Sequence, residues 1–260
     1  MSETMVMGSI IAALVKSEDI LGKDRIWNTV NDIQSRFMRE FFPRRHEVAI
    51  FSGKELRSWA SLVAAELNEV LKREGFNIRL EDFKENEFGV VSILNVLVEW
   101  LEKGMKTGFI FKGSRYPAVR FEKGFETRES IRCSGPIAVL NTKLGDRVFI
   151  TIADRPCEGF DLIARIEEIN NAFMSNGSRF DSLMFPMVDL NQKVNINWLR
   201  SMWTRDQKGD DYEISQALQQ TKLKMNEVGV RVESAVAVGV RFMSAVPMRS
   251  FVIDRPFFLW

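Results

Sequence analysis

Apolar residues recur at helical spacing through much of the first hundred positions. Met5 to Val15 is one nearly unbroken apolar run. Ile26, Trp27, Val30, Ile33, Phe37 and Phe41 follow, and Pro43 ends that segment. Ser52 with Glu55 three positions on is a capping-box pattern, in which the hydroxyl accepts an amide and the carboxylate reaches back. Behind it, Leu56, Trp59, Val63, Leu67, Val70 and Leu71 make one stripe that Gly75 stops. These spacings predict helices. Val90–Leu101 is apolar nearly all round and reads as a buried helix or a buried strand. Residues 1–105 are therefore expected to be mainly helical.

The pattern changes near Thr107. The segment Gly108–Gly124 reads as strands broken by Gly and Pro. Ile137–Leu140 and Arg147–Ala153 are short strand candidates, with a turn at Leu144-Gly145-Asp146. Phe160, Ile163, Ile166, Ile169 and Phe173 mark a short helix. Leu183–Leu190 reads as a strand in which Pro186 marks an edge or an end. Val194–Trp203 reads as a short helix. From Val230 to Arg241 the residues alternate: Val230, Val232, Ser234, Val236, Val238 and Val240 on one face, Arg231, Glu233, Ala235, Ala237, Gly239 and Arg241 on the other. A period of two is that of a strand, and this run is about twice the usual 5–6 residues. Helices first and strands afterwards give an α+β class, in one interlocked domain over 1–260, with 106–260 mainly β.

Composition narrows the partners. The chain is 45% hydrophobic with a net charge of +1, so no global field favours nucleic acid or a membrane surface. The N-terminal apolar run is too short to span a bilayer, which needs about 20 residues. It carries Glu3 in place of a basic flank, so it reads as a core-packing helix and favours an intracellular site. Cys133 and Cys157 make neither a disulfide framework nor a zinc site; two buried free thiols are expected, with one disulfide between them as the alternative.

Candidate chemistry is sparse. His46 has no second histidine to build a triad or metal site with, and reads as a surface residue. Asp210-Asp211 after Gly209 reads as a turn. Gly-rich phosphate loops, a nucleophile elbow and EF-hand spacing are all missing from the sequence. No enzyme site and no cofactor are expected.

Two stretches carry a resemblance. Lys224–Val238, KMNEVGVRVESAVAV, has Asn226, Glu227 and Gly229 in the positions of a hinge written V-N-E-x-G-T-x-A-x-A-A. Phe251–Trp260, FVIDRPFFLW, has Phe251, Asp254, Arg255, Pro256 and Phe257 matching F-x-A-D-[HR]-P-F-x-F. Hinge and signature together resemble the serpins, the family of serine protease inhibitors. Tyr212–Glu227 resembles the approach to the hinge, and Arg147–Pro156 resembles a family strand and the start of the helix after it. Leu183–Leu190 and Val90–Trp100 resemble further family strands more loosely.

The resemblance implies a serpin-like fold and a protein partner, in inhibitory members a serine protease. There the protease cleaves an exposed loop, which inserts as a new central strand. Glu227, Gly229, Val230 and Val232 are the hinge-like residues. Family spacing from Glu227 places the reactive bond at Met243–Ser244, with Arg241 or Phe242 as alternatives in another register. Met or Phe would suit a chymotrypsin-like pocket and Arg a trypsin-like one. The chain departs from the pattern by being short and by carrying Val230, Arg231, Val232 and Glu233 where inhibitory members prefer Thr and small residues. Two rival readings therefore stand beside inhibition. One is an interaction protein in which Val230–Arg241 is a permanent strand. The other is a nucleic-acid-binding or assembly protein using Arg36, Arg39, Arg44 and Arg45.

Overall fold

The computed structural model describes residues 7–50, 56–76, 78–94, 98–111, 113–174, 177, 179–194, 196–230 and 249–260. The chain forms two units, each assembled from two stretches: Met1–Asn95 with Asn191–Lys222, and Val96–Leu190 with Leu223–Trp260.

The first unit opens with α1 (Met7–Leu21), which buries Ile10, Ile11 and Leu14, so the N-terminal apolar run is a core-packing helix. β1 (Trp27–Asn28) and α2 (Asp32–Glu40) follow. The stripe read across Ile26–Phe41 is corrected here. Asn31 caps α2 by accepting the Gln34 amide at 2.9 Å, so the helix begins only there. Trp27 is a buried strand residue, while Ile26, Val30 and Ile33 are exposed. A 3-10 helix covers Phe42–Ile50.

The stripe beginning at Leu56 is also divided. Leu56–Ser61 is a strand, β2, and the helix α3 spans Ala64–Arg73. The Ser52–Glu55 pattern lies outside the described residues. Ser61 organises the helix start instead: its hydroxyl accepts the Val63 amide at 2.9 Å and donates to Glu66 at 2.5 Å. Gly75, at φ +72, closes the helix, with Phe76 N–H bonded to the Leu71 carbonyl. β2 is a strand because it lies antiparallel along β3 (Glu87–Leu94), from Leu56↔Leu94 to Ser61↔Gly89. That ladder outweighs a 3.6-residue spacing that local sequence alone favours. Leu67 and Leu71 pack on Val91 and Ile93 beneath. Of the ambiguous Val90–Leu101 stretch, Val90–Leu94 is strand in β3 and Val98–Glu99 is strand β4, while residues 95–97 lie outside the described residues.

The second unit continues with β5 (Met105–Phe111) and β6 (Ser114–Phe121), a hairpin in register from Phe111↔Ser114 to Met105↔Arg120. β7 (Phe125–Arg128), β8 (Ile137–Asn141) and β9 (Arg147–Ile152) form an antiparallel meander. α4 (Phe160–Asn170) and β10 (Ser182–Pro186) follow. Pro186 stands last in β10, where its missing N–H costs no central ladder bond. β11 (Val188–Val194) leads the chain back to the first unit. There a 3-10 turn at Asn197–Leu199 replaces the expected helix. β12 (Trp203–Arg205) then pairs with β1 and with β13 (Asp211–Met225). β13 also lies parallel to β3, from Glu213↔Glu87 to Gln219↔Ser92, with an irregularity between Ile214 and Gln216. β14 (Gly229–Val230), β15 (Ser250–Val252) and β16 (Phe257–Leu259) return to the second unit.

Two four-stranded sheets, β15-β10-β6-β5 and β16-β9-β8-β7, frame the second unit. Alternation along β8 distributes its side chains between two clusters. Ala138 and Leu140 join Phe121, Leu183 and Phe185, whereas Ile137 meets Ile169 of α4 and Phe258. The C-terminal stretch does the same. Phe257 and Leu259 pack on the first cluster, Phe258 and Trp260 on the second. Each such buried side chain contributes about 1.5–3 kcal/mol. The architecture is α+β; among the described residues before 105, helices cover more of the chain than the strands β1 to β4 that interrupt them.

Candidate functional site

The hinge-like residues sit in the turn between β13 and β14. Met225, the last residue of β13, is fully buried and pairs antiparallel with Val230. Between them Asn226 folds the chain on itself. Its Oδ1 accepts the amides of Val228 at 2.9 Å and Gly229 at 3.2 Å, and its own amide donates to the Gly229 carbonyl at 3.0 Å. This is the Asx-type turn that a short amide side chain forms with its own backbone.

The turn is anchored from the segment after β4. Trp100, 2% exposed, donates Nε1–H to the Asn226 carbonyl at 2.8 Å and its backbone N–H to the Val228 carbonyl at 2.9 Å. Its ring stands edge-on to Phe121, 6.2 Å between centroids. Gly104 N–H donates to the Glu227 carbonyl at 2.8 Å. A Cβ at Gly104 would lie 2.5 Å from Val119 Cγ1, so only glycine lets that backbone come this close. The turn carbonyls of residues 226, 227, 228 and 229 thus all have donors, which a buried backbone requires.

Glu227 is 5% exposed, and its carboxylate lies 3.2 Å from Nζ of Lys106, whose side chain is half-exposed. The pair places the cation toward solvent and the anion inside. Gly229 and Val230 then form β14, paired on one edge with Met225 of β13 and on the other with Glu99 and Val98 of β4, antiparallel to both. Thus the backbone that follows the turn already runs as a strand between two others. Val232, Arg241, Phe242, Met243 and Ser244 lie outside the described residues, as does the rest of 231–248.

The next described residue is Arg249. Its amide donates to Asp181 Oδ2 at 2.8 Å, its carbonyl accepts the Asp181 amide at 2.8 Å, and its guanidinium lies 4.8 Å from the Phe180 ring centroid. β15 follows, parallel to β10, with the Ser250 and Ser182 hydroxyls 2.7 Å apart. Val230 and Arg249, the described residues on either side of 231–248, thus lie in strand β14 and directly before strand β15.

Trp100, Gly104 and Lys106 were not legible as site residues. Tryptophan reads as core by its size alone, and nothing local to Trp100 points to a carbonyl 126 positions away.

Other candidate groups fall where their patterns place them. His46 is exposed in the 3-10 helix. Arg36 and Arg39 both bond Glu40, and Arg45 lies over Phe42. Asp210 and Asp211 sit at the β12–β13 turn. The Arg205 guanidinium, donating to Asp211 at 2.7 and 3.1 Å, holds that carboxyl below the usual carboxylate range. Desolvation pulls Asp206 upward, but the amides of Asp210, Lys208 and Gly209 hold it below its ordinary value. Among the described residues, no three His, Cys, Asp or Glu side chains gather to hold a metal ion, and no helix is long and apolar enough to cross a membrane.

No protein-family model and no curated protein matches the chain. Solved structures do match its fold. Human thyroxine-binding globulin complexed with thyroxine aligns over 97% of this chain and 92% of that chain, with a TM-score of 0.53 at 10% identity. SRPN18 from Anopheles gambiae aligns over 97% and 85%, with a TM-score of 0.53 at 12% identity. Maspin aligns over 97% and 93%, with a TM-score of 0.52 at 13% identity. The strands and helices therefore define an α+β protein of mixed sheets. More narrowly, the chain has a serpin-like fold.

Proposed function

We propose that the chain acts on another protein as a serpin-type inhibitor of a serine protease, with residues 231–248 as its bait. The observation that carries this reading is β14. Directly after the hinge-like turn, Gly229 and Val230 already run antiparallel between β13 and β4. The sequence beyond keeps the two-residue period, with Val232, Ser234, Val236 and Val238 on one face and Arg231 and Glu233 on the other. Extension of β14 buries the first set and leaves the charged pair on a face that stays wet.

The protease supplies the catalytic groups. Its serine Oγ attacks the Met243 carbonyl carbon, the peptide bond to Ser244 breaks, and the new amino group of Ser244 takes up a proton. The Met243 side remains as an ester on the protease serine. Lengthening of β14 then carries that ester along the sheet. Each residue added gains backbone hydrogen bonds worth about 0.5–1.5 kcal/mol apiece, so an insertion of ten residues is driven by on the order of 10 kcal/mol. Met243 and Phe242 suit an apolar specificity pocket, and Arg241 an acidic one.

A second reading is favoured by the same strand. Gly229 and Val230 are bonded on both edges without any cleavage, which suits a permanent strand in a non-inhibitory interaction protein. Incubation with chymotrypsin and with trypsin separates the two. Inhibition gives an SDS-stable conjugate and a released fragment beginning at Ser244, or at Phe242 or Met243 where Arg241 or Phe242 is the residue attacked. Nicking between Gly239 and Met248 without a conjugate refutes inhibition, and resistance across 230–241 favours the permanent strand.

A further inference from the structure

Cys133 and Cys157 are both free, and both are half-buried instead of buried as the sequence predicts. They lie in separate loops, one between β7 and β8 and one between β9 and α4. Both pack against the same cluster of Ile137, Ile169 and Phe258. One guanidinium clamps the two loops together. Arg165 of α4, 6% exposed, donates through Nη2 both to the Arg132 carbonyl and to the Asp154 carboxylate. A single nitrogen touching both brings the backbone just before Cys133 beside the segment leading to Cys157.

The β8–β9 ladder adds a second constraint, because Ile137 pairs with Thr151. The Thr151 hydroxyl donates its one hydrogen to the Pro136 carbonyl at 2.9 Å and so accepts from the Cys133 thiol at 3.3 Å. Cys157 is held more loosely, with Sγ 4.0 Å from the Arg155 carbonyl. Its segment has no helix or strand from Ala153 to Gly159, and Gly159 has φ +55 with open space at its Cβ position. That glycine lets Asp154–Glu158 change direction at little steric cost.

We propose that Cys133 and Cys157 are a thiol pair that a low-molecular-weight disulfide, such as oxidised glutathione, converts into an intramolecular disulfide. One protein thiolate attacks the glutathione disulfide, releasing one glutathione thiol and leaving a mixed disulfide. The second protein thiolate attacks the protein sulfur of that mixed disulfide and expels the other glutathione. Two protein S–H bonds are lost, one S–S bond forms, and one glutathione disulfide is reduced to two thiols. The link makes covalent the loop contact that Arg165 holds by charge.

The test uses the native full chain treated with oxidised glutathione, quenched in acid and weighed intact. The expected product is about 2 Da lighter than the reduced chain, the mass of the two thiol hydrogens. Its digest contains one cross-linked pair of peptides carrying Cys133 and Cys157. Cys133→Ser instead leaves a single glutathione adduct of about 305 Da on Cys157, because no second thiol resolves it. A native chain that keeps both thiols, retains a glutathione on each, or links to a second copy overturns the proposal.

Discussion

Replacing Trp100 with Phe isolates the one side-chain bond from Trp100 to the hinge-like turn. The substitution keeps an aromatic ring against Phe121 but removes Nε1–H, which meets the Asn226 carbonyl at 2.8 Å beside a residue 2% exposed. A buried carbonyl left without its donor costs about 1–3 kcal/mol. The smaller ring also leaves a void, worth about 1 kcal/mol for a volume on the order of 40 Å³. Together these predict a loss of about 2–4 kcal/mol. In urea, a slope of about 3 kcal/mol/M turns this into a midpoint lower by about 1 M. Far-ultraviolet circular dichroism is the appropriate signal, since the substitution removes a fluorophore. The turn should also open more readily, so cleavage after Glu227 by a glutamate-specific protease should accelerate. A midpoint within about 0.2 M of the parent, with unchanged cleavage, would refute the reasoning, because the carbonyl would then have adequate solvent or backbone partners.

Gly104→Ala should cost about 1–3 kcal/mol by overpacking against Val119 and Phe121, read as a lower melting temperature. A double-mutant cycle with Lys106→Met and Glu227→Gln should give a coupling of at most about 1 kcal/mol, since the lysine end is half in water. A coupling of several kcal/mol would place the lysine in a far drier setting than its exposure indicates. Acid should weaken the β12–β13 hairpin. Asp211 and Asp206 have folded pKa values below their unfolded ones, so their stabilisation is present above the ordinary carboxylate pKa and disappears as pH falls through the lowered values. Between pH 5 and about pH 3, urea midpoints should therefore fall less steeply for Asp211→Asn than for the parent, and parallel slopes would count against the Arg205 pairing.

Much of the second unit was legible because its strands are short and alternate over two cores. Ile137–Leu140 announces a buried strand, and the spacing of Phe160, Ile166 and Ile169 announces α4. Asn226 and Gly229 stood out in the sequence only as matches to a hinge motif; the turn they form comes from residues whose own chemistry makes turns. The first unit was harder. Leu56, Trp59 and Val63 sit at helical intervals, yet Leu56–Ser61 is a strand because β3 offers it a ladder. Such pairing depends on partners distant in sequence, and no local window contains them. Trp100 and Lys106 escaped notice for the same reason: their importance lies in a carbonyl and a carboxylate more than a hundred positions downstream.

The interleaved origin of the two units constrains how the chain is made. β3 ends at Leu94, but β13, which lies parallel to it, is complete only at Met225. At about 5–20 residues per second, the ribosome delivers that partner roughly 7–25 s after β3 emerges. Throughout that interval the nascent Val90–Ile93 stretch has an unpaired edge, the kind of surface that templates wrong pairings. The second unit waits still longer, since Phe257–Trp260, which pack on both of its apolar clusters, lie more than 30 residues beyond Met225. This topology makes the nascent chain a client for whatever shields strand edges during translation.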